Sequence, residues 1–251
     1  MAPQVLLVHG SMLGAWCWES TIDELAHYGT EAVAFDLPGH GEDRTPRGSI
    51  TAADYVRAVV EQVDAAPSPV ILVSHSMAGH AIAAAALQRP TRVKHLVYLS
   101  AQARAFGQSW ADTLDPGIRA AYEESAAGRG DGSYVVPEKV VTTRWLSSLA
   151  PDAPLARSIR SRLTPQPAGP LFEPSDFEPS DLYAGSLADI PVTYIWPVDD
   201  RQNTERRMRM SLSNLPAATR LVRIGGDHCA MLTNPRETAA AINDVSTRHP
   251  G

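Results

Sequence analysis

Short, unbroken apolar runs alternate with amphipathic stretches along the first hundred residues. Val5-Leu6-Leu7-Val8 is apolar without interruption, the signature of a strand buried on both faces. Residues 19–28 then carry Ile22, Leu25 and Ala26 at helical spacing, and 31–35 reads as a second strand ahead of the turn DLPGHGED. A helix is predicted over 51–65: Tyr55, Val56, Val59, Val60 and Val63 form its apolar stripe, and Thr51 with Asp54 has the spacing of a capping box. Pro69 opens a third strand, PVILVS. A small-residue turn leads from it into the alanine-rich stretch AGHAIAAAALQ, which Pro90 stops. Residues 93–99 read as a fourth strand. This rhythm predicts an α/β fold, a mostly parallel central sheet with helices on both faces.

The rhythm breaks after Ser100. Residues 101–188 hold polar helical pieces and then a run with Pro151, Pro154, Pro165, Pro167, Pro170, Pro174 and Pro179, a residue that helix interiors and central strands exclude. Within the run FEPSD occurs twice, at 172–176 and 177–181, which reads as a local duplication in a loop and is far too short for a repeat fold. The alternation returns with a strand at 192–196, a helix at 203–214, a strand at 219–224 and a helix at 235–248. The expected organisation is one domain over 1–251. Its core is 1–100 and 189–251, with a cap of about 101–188 inserted after the strand that ends near Leu99.

Composition narrows the function. Of 251 residues, 44% are hydrophobic and 20% charged, too apolar for a disordered chain. Lys and Arg number 22 against 28 Asp and Glu, and a net charge of −6 argues against nucleic acid as a partner. The leading apolar run, Val5 to Val8, is too short for a signal peptide, and nothing approaches a membrane span, so no membrane partner is expected. The two cysteines, Cys17 and Cys229, cannot build a disulfide framework or a four-ligand zinc site, which makes a reducing cytoplasm the expected location and leaves no metal to expect. The richness in Ala, Arg and Pro suits a high-GC bacterial source. Oligomeric state has no signal.

Ser74-His75-Ser76-Met77-Ala78-Gly79 lies between a predicted strand and a predicted helix, the context that the nucleophile elbow G-x-S-x-G requires. Ser74 and Ala78 replace the flanking glycines, though both are small. The competing reading makes Ser76 a helix N-cap. A serine nucleophile needs a base, and the base needs an orienting acid, in the chain order Ser, acid, His. Gly225-Gly226-Asp227-His228 follows a strand and puts His228 at the carboxyl edge of the sheet, where chemistry collects in open α/β folds. His75 and His80 are too near Ser76 in sequence to swing onto it, and His27, His95 and His249 have no site around them. Asp199 and Asp200 both follow the strand at 192–196, while Ser100-Ala101-Gln102 offers no carboxylate. Backbone amides of Met77, after the elbow, and of Ser11, in the turn after the first strand, are the candidate oxyanion hole.

Together these pieces resemble an α/β-hydrolase, and within that fold the plant methylesterase and hydroxynitrile lyase group with its bacterial esterase relatives. The resemblance rests on VLLVHGSMLGAWCW at 5–18, DLPGHG at 36–41, VSHSMAGH at 73–80, RLTPQP at 162–167, TYIWPVDD at 193–200 and GGDHCAMLTNP at 225–235, in the group's order. The stretch 101–161 matches poorly. The resemblance implies that the acid lies six residues after Tyr194, at Asp200. It also implies a serine rather than a carboxylate nucleophile, unlike epoxide hydrolases and haloalkane dehalogenases. The lyases carry a threonine in the oxyanion loop and a lysine after the histidine, where this chain has Gly10 and Cys229, so the ester-hydrolysing branch is expected.

The expected activity is hydrolysis of a small carboxylic ester through an acyl-enzyme, with Ser76 as nucleophile, His228 as base and no cofactor. Gly10, Met12, Trp110, Tyr122, Trp145 and Phe172, and Phe177 beside them, are candidate pocket residues. The same three side chains could instead open a lactone, cleave a thioester or a carbon–carbon bond, or tailor a secondary metabolite. A non-catalytic ligand receptor is a reading of another class, and an intact set of nucleophile, base and acid argues against it.

Overall fold

The computed structural model describes residues 3–105, 107–174 and 189–249. Four strands come first: β1 (Val5–Val8), β2 (Ala32–Phe35), β3 (Val70–His75) and β4 (Val93–Leu99). The segment between β4 and the next strand of the main sheet contributes a two-residue pair, β5 (Ser133–Tyr134) and β6 (Gln166–Pro167), before β7 (Val192–Pro197) and β8 (Arg220–Ile224). The main sheet has the order β2-β1-β3-β4-β7-β8, and all its pairings are parallel. β1 and β3 are buried along their whole length, β1 as an unbroken apolar run and β3 as the run Val70–Val73 followed by Ser74 and His75. The edge strands β2 and β8 are partly exposed.

Helices α1 (Glu19–His27), α2 (Ala52–Ala65) and α3 (Gly79–Gln88) alternate with the first strands, α4 (Pro116–Arg129) and α5 (Pro154–Arg162) lie between β4 and β7, and α6 (Glu205–Ser213) and α7 (Pro235–Ser246) follow β7 and β8. α1 packs on α7 and α2 on α3, the two pairs flanking the sheet. The capping box forms at α2: the Asp54 amide donates to Thr51 Oγ1 at 3.2 Å, and the Thr51 amide donates to Asp54 Oδ2 at 2.8 Å. α6 and α7 are a little shorter than their apolar periodicity predicts, since α6 begins after Thr204 and α7 ends at Ser246. Prolines 116, 154 and 235 open their helices, where the missing N–H removes no bond.

The register places the functional edge. Val8 lies level with Ser74, Ser74 with Tyr98, His75 with Leu99, and Leu99 with Ile195. The turns that leave β1, β3, β4, β7 and β8 therefore emerge at one carboxyl edge. Among the described residues, three non-glycine positions have positive φ: Met12 (60°), Ser76 (53°) and Ser100 (46°). All three sit in those turns, and such backbone strain persists only where surroundings enforce it.

Candidate active site

Ser76 follows β3 at the start of a tight turn, Ser76–Ala78, that runs directly into α3. Its left-handed φ lifts the side chain out of the strand line, as a nucleophile elbow demands. The close approach of strand and helix is made at Gly79, one residue beyond the motif's usual glycine. A Cβ there would collide with the Gln102 carbonyl oxygen. The Gln102 amide in turn donates to the Ser76 carbonyl at 3.0 Å, tying the elbow to the turn after β4.

His228 leaves the loop after β8 and places Nε2 3.1 Å from Ser76 Oγ. Its Nδ1 is 2.9 Å from Asp200 Oδ2. A carboxylate only accepts, so Nδ1 carries the proton and Nε2 is free to accept from Ser76. The second Asp200 oxygen accepts from the amides of Gln202 and Asn203, each at 2.7 Å. Burial alone would raise the Asp200 carboxyl; the charge and hydrogen bond of His228, with donors from Ser100 and Asn203, outweigh it and hold the group below its ordinary range. Asp199 points elsewhere: it is exposed, and its main chain pairs with Gly226.

Two residues that sequence reasoning passed over join this relay. Ser100 Oγ donates to Asp200 Oδ2 and lies 3.2 Å from His228 Nδ1. The only signal for it was its position, first after β4 and beside β7. His75 Nε2 donates to the His228 carbonyl at 2.9 Å, holding the His228 loop against β3. It is the last residue of β3, directly before Ser76, and from there its ring reaches that loop.

A model of the alpha/beta hydrolase family matches residues 5–241. The chain belongs to that family. The putative methylesterase 12, chloroplastic, of Arabidopsis thaliana is 27% identical over 254 residues, 96% of this chain and 71% of that protein. Esterase PIR7B of Oryza sativa subsp. japonica is 25% identical over 261 residues, 97% of this chain and 96% of its own. A solved extracellular alpha/beta-hydrolase from a Paenibacillus species, described as homologous to tobacco salicylic acid binding protein 2, overlays with a TM-score of 0.86 at 24% identity, covering 96% of this chain and 98% of that one. The expected resemblance to plant methylesterases and a bacterial relative is thus found, and this hydrolase is methylesterase-like.

The remaining candidates of the hydrolase fall into two groups. Gly10 packs on the elbow so tightly that a Cβ would come within 2.6 Å of His75 Nδ1 and 2.9 Å of Ser76 Cβ. Ser11 and Met77 are both buried. Met12 is pinned by its amide to Gln166 Oε1 and by its carbonyl to the Thr164 amide, both at 3.0 Å. Trp110, Tyr122 and Tyr134 form a buried stack, with ring centroids 6.2 and 5.1 Å apart in succession. Trp110 Nε1 donates to Gln102 Oε1, and the Trp145 ring lies 6.0 Å from the His228 ring. Phe172 is not brought to this group. It lies near α2, where the next residue, Glu173, accepts from the Ala52 amide at 2.6 Å. Phe177 lies outside the described residues. Among the described residues, no three His, Cys, Asp or Glu side chains are arranged to hold a metal ion, and no helix is long and apolar enough to cross a membrane.

Burial pushes His75 and His80 down to about 3 and His95 to about 4, each helped by neighbouring basic groups. These histidines are neutral in the folded hydrolase and charge in the unfolded chain below about pH 6.5. Between those values the unfolded state binds more protons, so the stability present above pH 6.5 is lost as pH falls. Each unit removes about 1.4 kcal/mol per histidine. The melting temperature should therefore decline steadily from about pH 6.5 to pH 4. A flat profile over that range would contradict the burial of these rings.

Proposed function

We propose that the chain is a serine carboxylic ester hydrolase acting through an acyl-enzyme. The observation that carries this reading is the unbroken hydrogen-bond relay from Ser76 through His228 to Asp200. His228 Nε2 takes the Ser76 proton as Oγ attacks the ester carbonyl. Asp200 keeps the imidazole in the accepting tautomer and balances the charge it gains. The amides of Ser11 and Met77 receive the oxyanion. His228 then returns the proton to the departing alcohol, and water, activated by the same nitrogen, releases the acid. No step needs a cofactor.

The substrate we propose is a small, fairly apolar ester. Met12 helps form the wall of an open pocket of about 440 Å³, where Val135, Val136, Val141 and Leu163 are joined by Glu138, Arg160 and Ser161, a lining more apolar than polar. We read residues 101–188 as a cap within one domain, since Ser133–Tyr134, Gln166 and Trp145 lean on the turns at the sheet edge. Two buried free thiols suit a reducing cytoplasm.

The lyase alternative needs a side chain at Gly10 and a cation at Cys229. The room at Gly10 is taken by His75 and Ser76, and Cys229 is a fully buried thiol whose burial pushes its ionisation upward. The test is turnover of p-nitrophenyl acetate alongside mandelonitrile. We expect ester hydrolysis, retained within about twofold in Cys229→Ala because a neutral thiol supplies no charge to the reaction. Cyanide release above the uncatalysed rate at about pH 5 to 6, lost in Ser76→Ala, would overturn the esterase reading.

A further inference from the structure

The mechanism above uses the amide of Ser11 and leaves its side chain idle. Ser11 Oγ lies 2.9 Å from the Tyr134 phenol oxygen, and both residues are buried. Each hydroxyl brings one proton and two acceptor sites. A single bond between them uses one proton, and neither oxygen has another partner among the described residues. One proton of the pair is therefore left over in a buried place, which is costly unless something accepts it.

Its location says what the acceptor is. Ser11 is joined to Gly10, which touches the elbow closely enough to exclude a Cβ. The Ser11 amide also lacks an acceptor among the described residues. One residue thus presents an undonated N–H and, with its partner, an undonated O–H, and it is next in the chain to the glycine that packs on Ser76. The turn that carries them is held from behind by Gln166, itself fixed by Tyr55 and His40 at 2.8 and 2.9 Å. Tyr134 is held by stacking on Tyr122, and burial pushes its phenol well above the usual range, so it keeps its proton.

We propose that Ser11 gives the oxyanion two donors, its amide and its hydroxyl, and that Tyr134 aims this hydroxyl by donating its phenol proton to Ser11 Oγ. The inference rests on the esterase reading. As the bond from Ser76 Oγ to the carbonyl carbon forms, the Ser76 proton passes to His228 Nε2 and the π pair of the C=O moves onto oxygen. That oxygen accepts from Ser11 N–H, Ser11 O–H and Met77 N–H, with no proton transferred to it. On collapse the pair returns, the bond to the alcohol oxygen breaks, and the alcohol takes the proton from His228. Ser11 is then a catalytic residue through its side chain as well as its backbone, and Tyr134, from the inserted segment, is a positioning residue.

Ser11→Ala deletes the hydroxyl and keeps the amide. It should lower kcat on p-nitrophenyl acetate about 10²-fold with KM little changed, the cost of one oxyanion donor. Ser11→Thr, which restores a hydroxyl, should recover most of that loss. Tyr134→Phe should cost about tenfold, and the double variant Ser11→Ala/Tyr134→Phe should be no slower than Ser11→Ala, because the phenol acts only through the hydroxyl. Inhibition by a trifluoromethyl ketone, which mimics the tetrahedral adduct, should weaken by the factor that kcat/KM falls. The proposal is overturned if Ser11→Ala stays within about threefold of wild-type kcat. It is also overturned if the two losses add, or if Ser11→Ala lowers activity only by lowering the melting temperature. If wild type shows no Ser76-dependent turnover, the esterase reading falls and takes this inference with it. If that turnover is intact and Ser11→Ala is unaffected, only the hydroxyl donor falls.

Discussion

Ser76→Ala should lower kcat by about 10⁴- to 10⁶-fold, the largest effect expected of any single change in this protein. The side chain removed is the one that would bond to the acyl carbon. What remains is an oxyanion site and a histidine that can activate water only from a poor position. The variant should fold normally. Residue 76 holds φ 53° in the wild type with a serine, and alanine has the same Cβ and meets the same strain. Equal melting temperatures would establish that the loss is chemical. A fluorophosphonate should label wild type and leave Ser76→Ala unmodified, and equal labelling of both would sink the assignment.

Asp200→Asn should cost about 10³- to 10⁴-fold in kcat, while Asp199→Asn should change it by less than about twofold. The asymmetry follows from one proton. With a carboxylate at 200, His228 must carry its proton on Nδ1, which leaves Nε2 3.1 Å from Ser76 Oγ ready to accept. An asparagine can offer Nδ2–H to Nδ1, which selects the opposite tautomer and turns Nε2 into a donor. The amide oxygen of that side chain would still receive the Gln202 and Asn203 amides, so the loop should keep its shape. Asp199 is exposed and makes no comparable bond to the imidazole. A pair of variants with the reverse pattern would reassign the acid.

How much of this is legible in the sequence is a matter of range. The strands and helices of 1–100 and 189–249 follow from local apolar periodicity, because a strand such as Val5–Val8 or a helix such as Ala52–Ala65 carries its burial pattern in adjacent residues. Ser76 and His228 were legible because each sits at the end of a predicted strand. Asp200 was separated from Asp199 only by the offset from Tyr194 that the resemblance supplied. Ser100, His75, Gln166 and Tyr134 were not found as contributors. Their partners lie 100, 153, 154 and 123 residues away, and which of them meet depends on parallel register that no window of sequence contains. Phe172 was chosen as an aromatic in a proline-rich run, and its short helix, Gly169–Phe172, packs with α2.

The spacing of the relay also bears on how the chain comes together. Ser76 and His228 stand 152 residues apart, and His228 and Asp200 are joined across β7 and β8, the last strands to be made. Contacts of such separation pay their loop-closure entropy before they yield anything, so they form late. A nascent or refolding chain can hold α2 and α3 against β1 and β3 and still be inert. Hydrolysis reports only the completed sheet, which makes its recovery a clock for the final docking step rather than for collapse.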